Sequence, residues 1–434
     1  MNVCVVALGK IGLPLAVQCA RSGMRVRGAD VNDQVVQLVN DGQAPFPGEA
    51  HLAEWLPEVV SSGALTATTD TAAAVADSDV VIVVVPLVAD AAGVPDFRGM
   101  DAATEVIAGA LRPGTLVSYE TTLPVGTTRN RFAPVLAERS GLQLGEDLFV
   151  CHSPERVFSG RIFADLRRYP KLVGGIDTAS ARKAVEFYEA ALQFDDRPDL
   201  TRPNGVWDLG SAEAAELAKL AETTYRDVNI AFANELARFA DAAGIDVHAV
   251  IDASNSQPFS HIHRPGIAVG GHCIPVYPRF YLAGDPDARL PAAARDINEQ
   301  MPAYAIQRLA EAVGSLAGLR VAVLGAAYRG GVKETAFSGV FPAVTALRAA
   351  GAIALVHDPL FSDDELAAMD LVPYHLGDPC DAVVLQAEHP EYQQIGAADV
   401  PGARVVLDGR DVLGASRLAR EGVPIMGIGR GPGR

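Results

Sequence analysis

The sequence predicts an α/β protein in which two parallel-sheet domains are joined by a central helical domain that contains one long helix. Two observations favour this fold. Short, continuous apolar segments alternate with helical segments near both ends of the chain, as in parallel sheets that helices cover on both faces. Between these regions lies a long helical segment that ends at a glycine. We place the predicted domains at residues 1–200, 201–305 and 306–434.

Size, charge and cysteine content limit the possible functions. The chain has 434 residues, enough for two or three domains, and a formal net charge of −17. This charge argues against nucleic acids and anionic membranes as partners, because basic surfaces bind both. The five cysteines are scattered without a C-x-x-C pair, which predicts neither a disulfide framework nor a metal site. No signal peptide precedes the first strand and no apolar segment is long enough to span a bilayer, so we expect a cytoplasmic protein.

The first strand begins at Val3 and runs into a glycine turn. A helix is predicted at residues 13–22 and a second strand at residues 24–30, which ends in Asp30. This order, with a carboxylate about 20 residues after the glycines, is typical of Rossmann-like dinucleotide-binding domains. Ala7 replaces the first glycine of the usual motif, so the order of the elements carries the prediction. We expect NAD rather than NADP, because Asp30 would repel a 2′-phosphate, and the expected contacts in the turn are Gly9, Lys10, Ile11 and Gly12.

Further strands are predicted at residues 80–85, 116–120 and 148–152. Ligands of open α/β sheets bind at the carboxyl ends of the strands. Pro86, Thr122 and Glu155 follow such ends, so we expect Pro86 and Thr122 to contact the cofactor and Thr122 and Glu155 to reach its nicotinamide. Alternatively, Thr122 and Glu155 cap a helix or shape a turn.

The middle of the chain begins with residues 198–208, which are rich in Pro, Asp and Arg and are interpreted as a linker. A long helix is predicted at residues 211–243. Lys219, Thr223 and Arg226 lie on one side of it, opposite a mostly apolar face. The two cations could meet an anionic substrate, although an ordinary solvated face gives the same pattern. Long helices between domains often form dimers, and we expect a homodimer.

Residues 265–278 form a loop rich in glycine and proline around Cys273. Gly270 and Gly271 would let the backbone approach a ligand closely, and the prolines would stiffen the loop. A thiol held in such a loop suits covalent catalysis. The alternative is a buried free cysteine in a tight turn.

A second α/β unit follows a helix predicted at residues 291–316. Its strands are expected at residues 320–324, 353–357, 382–385 and 404–408, and the tail from Gly427 is expected to fray. Arg329 and Lys333 stand in its first turn and Arg410 follows its last predicted strand. These cations suit a pyrophosphate, although surface cations near turns are equally common.

Motifs from all parts of the chain converge on one family. They are Leu8-Gly-Lys-Ile-Gly-Leu-Pro14, the turn at residues 122–128, Ser153-Pro-Glu-Arg156, Ala215-Glu-Leu-Ala-Lys219, Tyr225-Arg-Asp-Val-Asn-Ile230, Gly270-Gly-His-Cys273 and Asp408-Gly-Arg410. Along essentially its whole length the sequence resembles the UDP-glucose/GDP-mannose dehydrogenase family. The Pro-Glu-Arg-Val157 and Gly-Gly-His-Cys-Ile-Pro275 segments look more like the branch that oxidises UDP-N-acetylhexosamines.

This resemblance implies oxidation of C6 of a nucleotide sugar, most simply a UDP-sugar, from alcohol to acid with two NAD⁺ in turn. Cys273 would capture the aldehyde as a thiohemiacetal, and hydride loss would give a thioester. Glu155 would activate the water that hydrolyses it, and Thr122 would help to place that water. Lys219 would stabilise the oxyanions and hold the sugar.

The resemblance also implies a set of binding residues. The sugar site would include Glu155, Arg156, Val157, Lys219, Arg226 and Gly270. The nucleotide would be bound by the carboxyl-terminal domain through Tyr328, Arg329 and Arg410.

Several positions depart from the family pattern. Thr223 replaces the usual Asn and Tyr277 the usual Asp at two catalytic positions, while Ala336 replaces an Arg, Leu87 a Thr, and Phe259 an Arg found in some members. Because that Asp usually serves in acid–base chemistry, Tyr277 implies that water and Lys219 take over the proton transfers, or that the chemistry is altered. Two alternatives therefore stay open, a single oxidation that releases aldehyde and a non-catalytic nucleotide-sugar-binding paralogue.

Overall fold

The computed structural model of the protein describes residues 1–90 and 93–431. It confirms the α/β class, because two separate sheets of mainly parallel strands are present. By its internal contacts the chain divides into two compact units, residues 1–222 and residues 223 onward. The boundaries of the three predicted domains stay a prediction.

The first unit is built on an eight-stranded sheet in the order β10-β9-β8-β7-β4-β1-β2-β3, with a small hairpin of β5 and β6 beside it. All neighbouring strands of the large sheet are parallel except β8 and β9, which are antiparallel. The strands are β1 Asn2–Val6, β2 Arg25–Ala29, β3 Leu65–Thr68, β4 Val80–Val83, β5 Val88–Ala89, β6 Pro95–Asp96, β7 Thr115–Tyr119, β8 Leu148–His152, β9 Lys171–Gly175 and β10 Val206–Asp208.

Helices cover this sheet and bury its apolar strands. They are α1 Gly12–Arg21, α2 Asp33–Asn40, α3 Leu52–Ser61, α4 Thr71–Ala76, α5 Arg98–Ala108, α6 Ala133–Ser140, α7 Ile162–Arg168, α8 Thr178–Ala191 and α9 Ala212–Ala243, with a π-helical turn at Thr128–Phe132 before α6. One core cluster joins Leu13 and Leu15 of α1 to Phe187 and Tyr188 of α8, all fully buried. The strand ends are thereby held on a rigid base.

The turn between β1 and α1 is unusually tight. Ala7 has a positive φ of 76°, which is strained for a residue with a Cβ. A Cβ on Gly12 would lie 1.9 Å from the carbonyl oxygen of Ala7, so only glycine fits there. The predicted glycine turn is confirmed, and Ala7 shows that the conformation persists where the motif's first glycine is missing.

Two expectations about the first unit need correction. The linker predicted at residues 198–208 is wrong for its last three residues, because Val206–Asp208 forms β10 and pairs with β9 at the edge of the sheet. The strands β3, β5, β6 and β9 were also not predicted from the sequence.

The second unit contains a five-stranded, fully parallel sheet in the order β12-β11-β13-β14-β15. Its strands are β11 Arg320–Leu324, β12 Ile353–His357, β13 Ala382–Leu385, β14 Val406–Asp408 and β15 Ile425–Gly427. Its helices, besides the end of α9, are α10 Val247–Ser254, α11 Tyr277–Gly284, α12 Arg289–Val313, α13 Val340–Ala349, α14 Asp363–Ala368 and α15 Arg417–Arg420, with 3₁₀ turns at Pro390–Gln393 and Ala397–Asp399. Two apolar clusters bury the two faces of the sheet.

The carboxyl-terminal segment is ordered further than expected. Gly429 and Gly431 donate backbone hydrogen bonds of 3.1 Å each to the carboxylate of Asp241 on α9. Arg430 pairs with Asp246 and Asp411. The prediction of a frayed tail is therefore wrong up to Gly431, and the last three residues of that prediction lie outside the described residues.

The long helix α9 confirms the predicted helical segment within one residue at its start. Leu220, Thr224 and Ala231 of its predicted apolar face are buried, whereas Leu217 is exposed. No helix in residues 1–90 and 93–431 combines the length and apolar character needed to cross a membrane.

Candidate active site

Asp30 closes the cofactor turn of the first unit. Its carboxylate accepts hydrogen bonds from the N–H groups of Leu8, at 2.8 Å, and Asn32, at 2.9 Å, yet it stays partly exposed. Gly9 and Lys10 are exposed and Ile11 is half-buried. A Cβ on Gly9 would meet nothing within 4 Å. The turn thus presents open backbone at a helix start and a carboxylate beside it, which fits the pyrophosphate and ribose of a dinucleotide.

The next strands of the sheet carry further predicted residues. Pro86 is exposed just beyond β4, and Leu87 beside it is buried. Thr122 is buried in the turn after β7, where the hydroxyl of neighbouring Thr121 donates to the Val85 carbonyl at 2.7 Å. The structure therefore places Pro86 and Thr122 on adjacent strand ends, since β4 and β7 pair in parallel.

Glu216 of α9 holds the turn that contains Thr122. Its buried carboxylate accepts hydrogen bonds from the N–H of Gly126 at 2.5 Å, the N–H of Thr128 at 2.8 Å and the Thr128 hydroxyl at 2.7 Å. Burial raises the pKa of Glu216 to about 7, while the three hydrogen bonds oppose that rise. These hydrogen bonds fix α9 against the strand ends of the first sheet. Lys219 lies about one helical turn after Glu216, on the same side of α9.

Glu155 lies beyond β8 within a buried group of charges. One oxygen of its carboxylate accepts the N–H of Arg156 at 2.6 Å, and the other lies 3.2 Å from the ammonium of Lys171. The same ammonium lies 2.6 Å from the carboxylate of Glu120, which also accepts the Tyr188 hydroxyl at 2.6 Å. This arrangement makes Lys171 the centre of a small ionic network at the strand ends.

Burial and charge act differently on the two carboxyl groups. Burial raises the pKa of Glu120, and the nearby charge of Glu155 adds to that effect, so that the attraction of Lys171 does not restore the ordinary value. Burial also acts to raise the pKa of Glu155, but Lys171, the Arg156 N–H and the charge of Lys219 together bring it below its ordinary value. Of the two carboxyl groups, Glu155 is thus the one whose surroundings favour the charged form.

Arg156 is engaged by a carboxylate of α9. Its guanidinium forms two hydrogen bonds to Glu222, of 3.1 and 3.2 Å, and a third to the Pro170 carbonyl at 3.3 Å. Val157 packs against the main core of the first unit. Both predicted sugar residues are thus held in place, with the Arg156 side chain only partly exposed.

The cations of α9 differ in burial. Lys219 is buried in the first unit, close enough to Glu155 to lower its pKa. In the second unit Thr223 is buried, whereas Arg226 is exposed and lies near His263, whose pKa falls because of burial and the Arg226 charge.

The loop around Cys273 is held by the second unit. Gly271 has a φ of 88°, and its N–H donates to the Ala336 carbonyl at 2.9 Å. A Cβ on Gly270 would lie 2.7 Å from the Cβ of Tyr328, so the loop packs on Tyr328 with no room for a larger residue. Cys273 itself is exposed at the end of this segment.

Tyr277 begins α11 directly after the loop. Its N–H donates to the carbonyl of Cys273 at 2.9 Å, and its ring lies 5.8 Å from that of Phe280. The aromatic side chain therefore occupies the first turn of the helix that follows the thiol. Phe259, another departure from the family pattern, is almost fully exposed.

The predicted nucleotide residues meet around the turn after β11. Arg410 donates to the carbonyls of Ala268 at 3.0 Å and Gln386 at 2.6 Å, and its guanidinium also reaches the Tyr328 carbonyl at 3.5 Å. The Nε of Arg329 is buried without a hydrogen-bond partner. Gly270, Tyr328 and Arg410 are thus brought together, and Arg410 links the backbone segments around them. The Nε of Arg329 is a donor that could bind an anion.

Sequence reasoning missed four charged residues of these sites. Glu216 and Glu222 occupy α9, where their spacing from Lys219 was the available indication. Glu120 directly follows β7, two residues before the motif turn, and Lys171 begins a strand that was not predicted. In the described part of the chain no group of three His, Cys, Asp or Glu side chains could hold a metal ion.

Comparison with known proteins agrees with this geometry. Models of the NAD-binding, central and UDP-binding domains of one family match residues 1–192, 213–300 and 322–415. The chain belongs to the UDP-glucose/GDP-mannose dehydrogenase family. It is therefore an NAD-dependent nucleotide-sugar dehydrogenase, and the reaction of the family is a two-step oxidation to a carboxylate.

Individual members of the family match along nearly their whole length. The chain is 35% identical to the UDP-N-acetyl-D-mannosamine dehydrogenase of Pyrococcus horikoshii, over 99% of this chain and 100% of that protein. It is 33% identical to the NDP-N-acetyl-D-galactosaminuronic acid dehydrogenase of Ralstonia solanacearum, over 96% and 97%. The solved structure of UDP-D-ManNAc dehydrogenase from Pyrococcus horikoshii has a TM-score of 0.87, with 32% identity and 99% of each chain covered. The predicted family, fold, enzyme class and cofactor are confirmed.

The role of Glu216 can be tested by stability. In Glu216→Gln an amide NH₂ replaces one acceptor and faces a backbone N–H, so we expect the free energy of unfolding to fall by about 2–3 kcal/mol. Glu213→Gln is the matched control, because Glu213 forms a partly exposed pair with Arg129 and should cost less than about 1 kcal/mol. Urea titration of both variants measures the difference, and equal stabilities would contradict the role of Glu216.

The role of Asp30 can be tested by cofactor preference. Asp30→Ala should weaken NAD binding and reduce the preference for NAD over NADP, because the ribose acceptor and the repulsion of a 2′-phosphate are both lost. Asp33→Ala, an exposed neighbour in α2, should keep the preference. Calorimetric titration with each cofactor is the measurement. Equal affinity of the unmodified enzyme for NAD and NADP would show that Asp30 does not bind the ribose.

Proposed function

We propose that this enzyme oxidises C6 of a UDP-N-acetylhexosamine from alcohol to carboxylate with Cys273 as the nucleophile. The exposure of the thiols carries the proposal. All five cysteines belong to the described residues, and Cys273 is exposed while the other four are buried. The sugar class is supported by the two relatives named above, which act on N-acetylated nucleotide sugars by name.

The cofactor would be held by the turn at residues 9–12, Asp30, Pro86 and Thr122. Bound NAD⁺ would accept one hydride from C6 in each of the two oxidations. The first oxidation also releases the proton of the C6 hydroxyl. Tyr277 offers no carboxylate for it, so a water placed by Thr122, or Lys219 in its uncharged amine form, accepts this proton, and Thr223 helps to shape the site.

Cys273 holds the aldehyde between the two oxidations. Its sulfur bonds to C6 and the aldehyde oxygen takes a proton, which gives a thiohemiacetal. The second oxidation converts this group into a thioester. Lys219 supplies the positive charge that stabilises the oxyanions of these steps.

Glu155 completes the reaction by hydrolysis. It takes a proton from a water molecule as the water oxygen attacks the thioester carbonyl. The carbon–sulfur bond then breaks, the thiolate of Cys273 is released, and the product leaves as an acid. Its negative charge, held against Lys171 and Lys219, suits Glu155 to act as this base.

Substrate binding is assigned to both units. We place the sugar against Arg156, Val157, Arg226 and Gly270, together with Glu155 and Lys219. Tyr328, Arg329 and Arg410 bind the nucleotide, and the buried unpaired Nε of Arg329 supports a phosphate contact.

The enzyme is further proposed to be a cytoplasmic homodimer that serves polysaccharide biosynthesis. Tyr225, Phe232 and Phe239 are exposed at seven-residue intervals on α9, which supports a helix-mediated dimer. This stripe differs from the apolar face predicted from sequence, of which Leu220, Thr224 and Ala231 are buried. Five unpaired cysteines support a reducing compartment.

The covalent step predicts the behaviour of Cys273→Ala. This variant should produce at most one NADH per sugar, with aldehyde or no product, because the aldehyde is no longer held for the second oxidation. Cys380→Ala is the control, since Cys380 is a buried thiol of the second unit, and it should keep the acid product. NADH counted against sugar, with the product mass, is the measurement. Full acid formation by Cys273→Ala would rule out the covalent mechanism.

A further inference from the structure

Lys171 has no chemical step of its own in the proposed mechanism. Its side chain is 4% exposed and its ammonium lies between two carboxylates, 2.6 Å from Glu120 and 3.2 Å from Glu155. A buried ammonium is costly unless charged partners surround it. Its place beside Glu155 therefore calls for a functional explanation.

The strand arrangement puts Lys171 there. β9 runs antiparallel to β8, and the register pairs His152 with Gly174. Continuing this register by three residues sets Glu155 opposite Lys171. The antiparallel strand thus begins at the edge where β7 and β8 end, which is the edge that carries Glu120, Thr122 and Glu155.

The charges of the group are unequal in number. One ammonium faces two carboxyl groups in a place with little access to solvent. The group therefore carries a single net negative charge when both carboxyl groups are ionised. Glu120 is the more deeply buried carboxyl and is joined to Tyr188, whose hydroxyl also meets Ser118 at 2.7 Å. Glu155 is partly accessible, with 12% of its side chain exposed. Glu120 thus holds the ammonium at 2.6 Å, and the same ammonium, 3.2 Å from Glu155, favours the charged form of Glu155.

The other groups around Glu155 also favour its charged form. Lys219 adds positive charge from α9. His152, at the end of β8, is buried, and burial together with the Lys171 charge lowers its pKa to about 3, so it stays neutral. Cys151 is also neutral, because burial raises its pKa to about 12. The Arg156 guanidinium is bound to Glu222, and the Lys171 ammonium contacts Glu155 directly.

We propose that Lys171 is a positioning residue that keeps Glu155 oriented and anionic, with Glu120 as the carboxyl group that holds the ammonium in place, and that this network sets the pH range of thioester hydrolysis. The inference rests on the proposed role of Glu155. It assigns functions to two residues, Lys171 and Glu120, that otherwise would only join strands.

The test follows thioester hydrolysis as a function of pH. Rapid quenching and intact-protein mass spectrometry measure the decay of the acyl adduct on Cys273, and the infrared carboxyl band assigned by Glu155→Gln reports the ionisation of Glu155 directly. In Lys171→Met/Glu120→Gln, which leaves no unpaired buried charge at either substituted position, the acidic limb of the rate profile and the infrared titration should both move up by at least one pH unit. Lys171→Arg should restore the unmodified profile in large part.

Two further variants identify the cause of the shift. Glu120→Gln alone should leave the acidic limb in place or move it to lower pH, because the charge of the Lys171 ammonium is then paired with Glu155 alone. Lys183→Met is the matched control, because Lys183 donates to the Gly114 carbonyl, just before β7 and at the opposite end of that strand from Glu120, and it should leave the profile unchanged.

The outcomes separate this inference from the proposed function. If Lys171→Met/Glu120→Gln titrates like Glu120→Gln in both measurements, Lys171 does not set the state of Glu155 and the inference is wrong. If Glu155→Gln hydrolyses the thioester at the unmodified rate, the assignment of the base fails. The infrared titration would then still decide whether Lys171 controls the ionisation of Glu155.

Discussion

The active edge of the first unit depends on one buried ammonium between two carboxylates. Lys171, at the start of β9, contacts the carboxyl groups that follow β7 and β8, so the contact that joins these strand ends also places Glu155. Removing one partner of such a group leaves a buried charge without compensation, which typically costs several kcal/mol. The single antiparallel pairing in an otherwise parallel sheet therefore has a clear consequence. It places a cation at the edge where parallel strands alone would place only their carboxyl ends.

In each unit the first strand runs into a glycine turn, and a carboxylate follows the next strand along the chain. The two carboxylates differ in exposure. Asp30 accepts the Leu8 N–H and stays partly open to solvent. Asp358 accepts the N–H groups of Ala326 and Ala327 and meets the His389 ring, and it is buried. The bonding capacity of Asp358 is thus used within the protein, whereas Asp30 can also accept hydroxyl groups of a ligand. Similar local sequence patterns therefore leave one carboxylate open to solvent and use the other to hold its own turn.

The sequence predicted the strands that are continuous apolar segments, and with them the positions of Thr122 and Glu155 at strand ends. It did not predict β9, because Lys171-Leu-Val-Gly-Gly175 has only two large apolar residues, between a charge and two glycines. Lys171 was missed for the same reason. Glu216 was missed because a buried glutamate in a helix has the same local sequence pattern as the exposed Glu213, and only the backbone donors of the neighbouring turn distinguish them. The edge strand Val206–Asp208 and the bound tail at Gly429 depend on partners far away in sequence, which local patterns do not reveal.

Our central proposal is that this enzyme carries a nucleotide sugar through both oxidations despite Tyr277 at the usual position of an aspartate. The most direct test is the amount of NADH formed per UDP-N-acetylhexosamine consumed by the unmodified enzyme, with the product identified by mass. The account predicts two NADH and one uronic acid per sugar. One NADH per sugar with a free aldehyde product would contradict it.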